Sequence, residues 1–103
     1  MRDIQHPAAT EITLTAVLHA LSDPVRLQIV RELDRRGEEA CSALGIPVSK
    51  ATLSHHFKVL RDAGVITTRA VGTARVSTLR RAELEERFPG LLDVVLRAEL
   101  TPV

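Results

Sequence analysis

Residues 49–64 constrain the fold most, because their apolar residues repeat with the period of an α-helix. Ser49 is a favoured N-cap residue, and Gly64 is a favoured residue just beyond a helix end. The segment therefore predicts a helix from Lys50 to about Ala63. One side of its helical wheel is apolar, with Leu53, Phe57, Leu60 and Gly64. We expect this side to pack against a core.

The opposite side of the predicted helix is polar, with Ala51, Ser54, His55, Lys58 and Asp62, and Arg61 at its edge. Small residues allow close approach to a DNA groove, polar side chains reach base edges, and a lysine meets phosphate. Free N–H groups at the helix start also favour a phosphate. Any surface helix has a polar side, however, so the neighbouring segments must decide between a DNA-reading helix and an ordinary one.

The neighbouring segments predict a helix-turn-helix followed by a wing. Glu38–Leu44 predicts a short helical stretch, and residues 45–48 predict a turn before the periodic helix. Two alternating, β-branched segments follow, Val65–Val71 and Arg75–Leu79, and they predict a hairpin around residues 72–73. Arg69 and Arg75 flank that turn, where arginines favour a narrow minor groove. The alternative is a solvated loop with routine charges.

The first third of the chain predicts an arm and two helices. We expect a flexible arm over residues 1–9 and a helix capped by Thr10. That helix has two apolar sides, one with Leu14, Val17, Leu18 and Leu21 and the other with Ile12 and Ala16. Two apolar sides suit contact with both a core and a second subunit. A second helix follows, with Asp23 as its cap, Pro24 in its first turn and Gly37 at its end.

The chain ends in two predicted helices, Arg81–Phe88 and the very apolar Leu91–Leu100, separated by Pro89 and Gly90. The apolar residues of the last helix are Leu91, Leu92, Val94, Val95, Leu96 and Leu100. We expect residues 81–103 to be C-terminal dimerisation helices. The whole chain, 1–103, is then a single winged helix-turn-helix domain, mainly α with a small β-hairpin, dimerising through its first and last helices.

Charge and cysteine content narrow the class of protein. The formal net charge is only +1, but residues 48–81 hold seven Lys and Arg residues against one acid, Asp62. One cysteine, Cys41, cannot form an internal disulfide. The sequence has no secretory signal pattern and no apolar run of transmembrane length, which predicts a cytoplasmic protein without a membrane partner.

Two segments resemble the ArsR/SmtB family of transcriptional regulators. Residues 18–30 contain the run Ser22-Asp23-Pro24-Val25-Arg26, similar to the small-Asp-Pro-x-Arg motif that opens the family's second helix. Residues 49–66 resemble its recognition helix even more closely. The resemblance implies a homodimeric repressor whose first and last helices pair across a twofold axis. It also implies recognition helices in successive major grooves of an inverted-repeat operator, and release by an effector.

The metal sites of the family are not matched here. One type uses a Cys-x-Cys pair, but only Cys41 is present in the corresponding segment, and one thiolate cannot enclose a soft metal ion. The other type needs a histidine on the last helix, which offers only Asp93 and Glu99. We therefore expect no cofactor and a non-metal or unknown effector: a small molecule, another protein, or no signal at all. A metal-sensing repressor using Cys41 and histidines is the alternative.

Two further hypotheses concern function. An enzyme is not expected, because the sequence shows neither a nucleophile–base–acid set nor a glycine-rich phosphate loop. A winged helix that binds only protein is the stronger rival, but such a surface would favour exposed aromatic or aliphatic anchors. His56 is expected to be packed and hydrogen-bonded. The residues that we expect to contact double-stranded DNA are Ser49, Lys50, Thr52, Ser54, His55, Lys58, Arg69, Thr73 and Arg75.

Overall fold

The computed structural model describes residues 4–100, without the side chains of residues 99 and 100. Its helices are α1 (Leu14–Ala20), α2 (Pro24–Arg36), α3 (Lys50–Asp62), α4 (Arg81–Arg87) and α5 (Leu91–Leu100). Its strands are β1 (Glu38–Ala40), β2 (Ile66–Val71) and β3 (Ala74–Leu79), and Ala9–Glu11 and Cys41–Leu44 form 3-10 turns. The predicted mainly helical fold with a hairpin wing is confirmed.

The sheet has three antiparallel strands in the order β1-β3-β2, one more strand than the sequence predicted. The prediction of a helical stretch over Glu38–Leu44 was wrong for its first half. Residues 38–40 pair with β3, with Glu39 opposite Ser77, and only the 3-10 turn at Cys41–Leu44 follows. Strand pairing at the edge of β3 outweighs the weak local preference of three residues.

The starts of the first two helices differ in how well the sequence predicted them. Thr13, not Thr10, caps α1, since its hydroxyl oxygen accepts a hydrogen bond from the Ala16 N–H at 3.2 Å. The predicted cap of α2 is confirmed. One carboxylate oxygen of Asp23 accepts from the N–H groups of Val25 (2.8 Å) and Arg26 (3.1 Å).

The core lies where α3 packs against α1, α2 and the sheet. Phe57 and Leu60 are 2% and 0% exposed, as their positions on the predicted apolar side require. Ile12, which belongs to the second apolar side of the predicted first helix, is buried in this core, whereas Leu14 and Leu18 of the other side are each 45% exposed. Ile12 lies so close to Gly64 that a Cβ there would approach the Ile12 Cγ1 atom to 2.5 Å. Gly64 also adopts φ +83°, so glycine fits both the backbone and the space at this helix end.

The C-terminal helices pack on α2 through a few apolar residues and an ion-pair network. Leu92 and Leu96 of α5 are buried, whereas Val94 is 67% exposed. Arg81 binds the carboxylates of Asp34 and Asp93, which joins α4 to α2 and α5. The side chain of Leu100, which we placed in the apolar set, lies outside the described residues. No helix in the described range is long and apolar enough to cross a membrane.

The N-terminal segment, expected to be a flexible arm, contacts the sheet and α4. His6 Nε2 accepts a hydrogen bond from the Thr68 N–H of β2 at 2.9 Å. The Arg80 guanidinium donates to the Pro7 carbonyl at 2.8 Å and also binds the Glu83 carboxylate. Burial, and then the positive charges of Arg80 and Arg61, lower the pKa of His6 from its ordinary 6.5.

We predict that this contact makes stability depend on pH. Because the folded-state pKa of His6 is depressed, its contribution is complete above the unfolded-state value near 6.5 and decreases as pH falls through the folded-state pKa. His6→Gln retains an acceptor oxygen but does not titrate. Urea unfolding of both proteins between pH 5 and 8 should show the wild type losing stability relative to His6→Gln below about pH 6.5. Parallel curves would contradict the prediction.

Candidate nucleic-acid interface

The polar side of α3 is exposed as its periodicity predicted. Ser54, His55 and Lys58 are exposed, together with Ala51 and Asp62. Ser49 caps the helix, since its Oγ accepts from the Thr52 N–H at 3.2 Å. The same oxygen donates to the Thr52 hydroxyl at 2.9 Å. Two hydroxyl groups therefore lie beside the free N–H groups at the positive end of the helix dipole.

A groove of about 540 Å³ separates α3 from the β2–β3 hairpin, which we call the wing. Leu53, Phe57 and Cys41 contribute apolar surface to it. Its cations are Lys50 and Arg61 from α3 and Arg75 from the wing. Ser54 and Thr73 also line it. Among the described residues, none of the three cations forms an ion pair with a carboxylate. Their charges are free to meet an anion.

Arg61 is the one groove cation that is not among the expected DNA contacts. The wheel placed it at the edge of the polar side, but it follows Lys50, Ser54 and Phe57 at helical spacings of four, three and four residues. Residues at that spacing share one helix side, and here that side faces the wing. This spacing can be read from the sequence, but only the position of the wing shows that Arg61 lies in the groove.

Arg69 and Arg75, expected on either side of the wing turn as two minor-groove arginines, do not lie on the same face of the wing. Ala70 is opposite Arg75 and Arg69 is opposite Val76, so the two arginine side chains project from opposite faces of the wing. Arg75 lines the groove, whereas Arg69 forms an ion pair of 2.5 Å with Glu38 of β1. The hydrogen bond from Arg69 lowers the pKa of Glu38.

Lys58 is also occupied by a carboxylate. Its Nζ lies 2.7 Å from Asp62 Oδ2, one helical turn further along α3. Both side chains are more than half exposed, and such surface pairs contribute little free energy because water and salt compete for them. An external anion can therefore compete with Asp62 for Lys58.

His56 is packed and hydrogen-bonded, as predicted. It is 8% exposed, and its Nδ1 atom lies 3.1 Å from the Arg26 Nη1 atom. Because a guanidinium has only donors, Nδ1 must be the acceptor in this bond. The same guanidinium donates to the carbonyls of Ala20 at 2.6 Å and His19 at 3.2 Å. Arg26 thus joins the end of α1 to the middle of α3.

Cys41 lies beside the groove and contacts a small hydroxyl network. Its Sγ is 3.5 Å from Ser77 Oγ, which is 2.8 Å from Thr68 Oγ1. Within the described part of the chain, no three His, Cys, Asp or Glu side chains are grouped so that they could hold a metal ion.

Comparison with known proteins gives consistent matches. A family model described as a helix-turn-helix domain matches residues 21–69. The HTH-type transcriptional regulator YceK of Bacillus subtilis is 37% identical over 82 residues, covering 77% of this chain and 82% of the relative. The arsenical resistance operon repressor of Staphylococcus xylosus is 38% identical over 73 residues, covering 70% of each chain. A solved structure of an ArsR-like transcriptional regulator from Rhodococcus sp. RHA1 aligns with a TM-score of 0.61 and 31% identity. That alignment covers 84% of this chain and 88% of the other.

Proposed function

The chain belongs to the ArsR family of winged helix-turn-helix transcriptional regulators, and from this membership we propose that it is a homodimeric repressor of an inverted-repeat operator. The observation that carries the proposal is the groove between α3 and the wing, with Lys50, Arg61 and Arg75 unpaired by carboxylates among the described residues. A concave surface with three available cations fits the phosphate backbone of a duplex.

The proposed roles follow from where each side chain lies. With α3 in the major groove, Ser54 and His55 are positioned for base edges. Lys50, Arg61 and Arg75 bind phosphates on the wing side. Other proposed backbone contacts are Ser49 and Thr52 at the start of α3, Thr73 at the wing turn, and Lys58 and Arg69 once they leave their carboxylates. The exposed side of α3 carries no large apolar anchor, which favours DNA over a protein partner.

The proposed dimer uses apolar surface that the folded chain leaves exposed. Leu14 and Leu18 of α1 are each 45% exposed, and Val94 of α5 is 67% exposed. A domain of this size buries little surface alone, so pairing α1 and α5 across a twofold axis adds apolar burial. Such a dimer presents two α3 helices to two successive major grooves.

We propose that the effector is not a metal ion bound by Cys41. Its thiol is the only one in the chain and contacts the Ser77 hydroxyl. A soft metal ion prefers several thiolate ligands. A small molecule and another protein are the two classes of effector that fit this proposal.

The groove is tested by the salt dependence of DNA binding. Fluorescence anisotropy with a random-sequence duplex should show Arg61→Gln and Arg75→Gln each lowering affinity and reducing the slope of log K against log salt by about 1. Arg87→Gln on α4 removes the same charge outside the groove and should leave the slope unchanged. Equal slopes in all four proteins would exclude the groove as the phosphate site.

Removing the charge of Asp62 should strengthen DNA binding rather than weaken it. Since its carboxylate binds Lys58 and faces the proposed DNA surface, Asp62→Asn should increase affinity for any duplex by about two- to fivefold. Glu86→Gln, the same charge change on an exposed residue of α4, serves as the control and should change affinity less. If Asp62→Asn binds more weakly than the wild type, Lys58 and Asp62 do not face the DNA.

Oligomeric state is tested by adding charge to the exposed side of α1. Leu18→Glu should shift a micromolar sample from dimer to monomer in sedimentation velocity, because it places a carboxylate in the proposed apolar interface. Val71→Glu is a matched control on the wing, since Val71 is also 45% exposed. A wild type that sediments as a monomer, or a Leu18→Glu variant that remains dimeric, would refute the interface.

A further inference from the structure

We propose that Arg26 and His56 are positioning residues that fix the angle between α1 and α3, and thereby the separation of the two α3 helices in the dimer. This inference rests on the proposed function. It assigns to a buried polar contact that does not line the groove a role in matching the protein to the spacing of its operator half-sites.

The contact joins three helices through one guanidinium. Arg26 extends from the first turn of α2, binds two carbonyls at the end of α1, and reaches His56 in the middle of α3. Arg26 and His56 are only 7% and 8% exposed. A guanidinium is planar with donors in a fixed fork, so three acceptors satisfied at once allow little rotation of one helix against another.

The apolar contact between α1 and α3 is interrupted by a gap. A shallow gap of about 250 Å³ remains between the two helices, lined by Ala16 and His19 of α1 and by Val59, Asp62 and Ala63. Apolar contacts are not directional, and the gap leaves part of this helix pair without them. The hydrogen bonds of Arg26 add a directional constraint to this packing.

The angle between α1 and α3 matters because α1 belongs to the proposed dimer interface and α3 to the proposed DNA interface. The other side of α1 carries Leu14 and Leu18 of the proposed dimer interface, while α3 carries the proposed base contacts. In a twofold dimer, the position of α3 relative to α1 sets the separation of the two recognition helices. That separation must match about one helical turn of DNA, roughly 34 Å. A small rotation of α3 relative to α1 therefore moves Ser54 and His55 away from the bases of the half-site.

The test compares operator and random-duplex affinity in variants of this contact. His56→Leu removes the acceptor, His56→Asn restores an acceptor oxygen near the Nδ1 position, and Arg26→Lys keeps the charge but cannot reach three acceptors. Arg35→Lys, on the exposed end of α2, is the control. The operator is one selected from random duplexes by the wild type. Affinities are measured at 10 °C, where circular dichroism verifies that each variant is folded.

We expect His56→Leu and Arg26→Lys to reduce the ratio of operator to random-duplex affinity by about tenfold, with random-duplex affinity changing less than about twofold. His56→Asn should recover most of the ratio. A purely structural role would change melting temperature but not this ratio in a folded protein. An unchanged ratio, or equal losses on both duplexes, would overturn the inference. A wild type that binds no duplex would instead overturn the proposed function.

A second measurement does not depend on DNA and applies even if one variant fails to fold. Spin labels at the exposed positions Thr15 of α1 and Ala51 of α3, in a Cys41→Ser background, report the distance between the helices by double electron–electron resonance. Heterodimers with unlabelled protein keep the measurement within one subunit. We expect one narrow distance in the parent and in His56→Asn, and a broader or shifted distribution in His56→Leu or Arg26→Lys. Identical distributions would refute the positioning role.

Discussion

Burial of one side of α3 determines what its other sides present, and the whole candidate interface depends on that burial. Phe57 and Leu60 are enclosed by the core, so the fixed angles between helical residues direct Ser54, His55 and Lys58 outward. The same constraint turns Lys50 and Arg61 toward the wing. The wing is held by its pairing with β1 and by the hydrogen bond from the Arg80 N–H to the Val65 carbonyl. The packing of the apolar side of α3 in the core therefore places its cations in the groove.

The elements with strong local signals were predictable from sequence, and those decided by tertiary contacts were not. Ser49, Asp23 and Gly37 mark helix boundaries through their own backbone chemistry, and each lies where expected. The start of α1 was misplaced because Thr10 and Thr13 are equally good caps, and burial of Ile12 decides between them. β1 was missed because three residues of Glu and Ala favour a strand only when β3 offers an edge to pair with.

The candidate interface was predictable along α3 but not across the gap to the wing. Helical periodicity alone gives the exposed side of α3, since it depends only on residues of one element. The separation of Arg69 from Arg75 depends on strand register, and the pairing of Arg69 with Glu38 depends on β1, which the sequence did not reveal. The buried contact between Arg26 and His56 spans 30 residues of chain, and neither residue alone indicates the other.

The groove is tested most directly by adding a DNA duplex to ¹⁵N-labelled protein and measuring the chemical-shift changes of its backbone amides. The structure predicts that the largest changes occur along one side of α3, at Lys50, Ser54 and Arg61, and at residues 73–75 of the wing. Residues of α4, which lie outside the proposed interface, should change little. Large changes confined to α4, with the groove residues unmoved, would contradict the account.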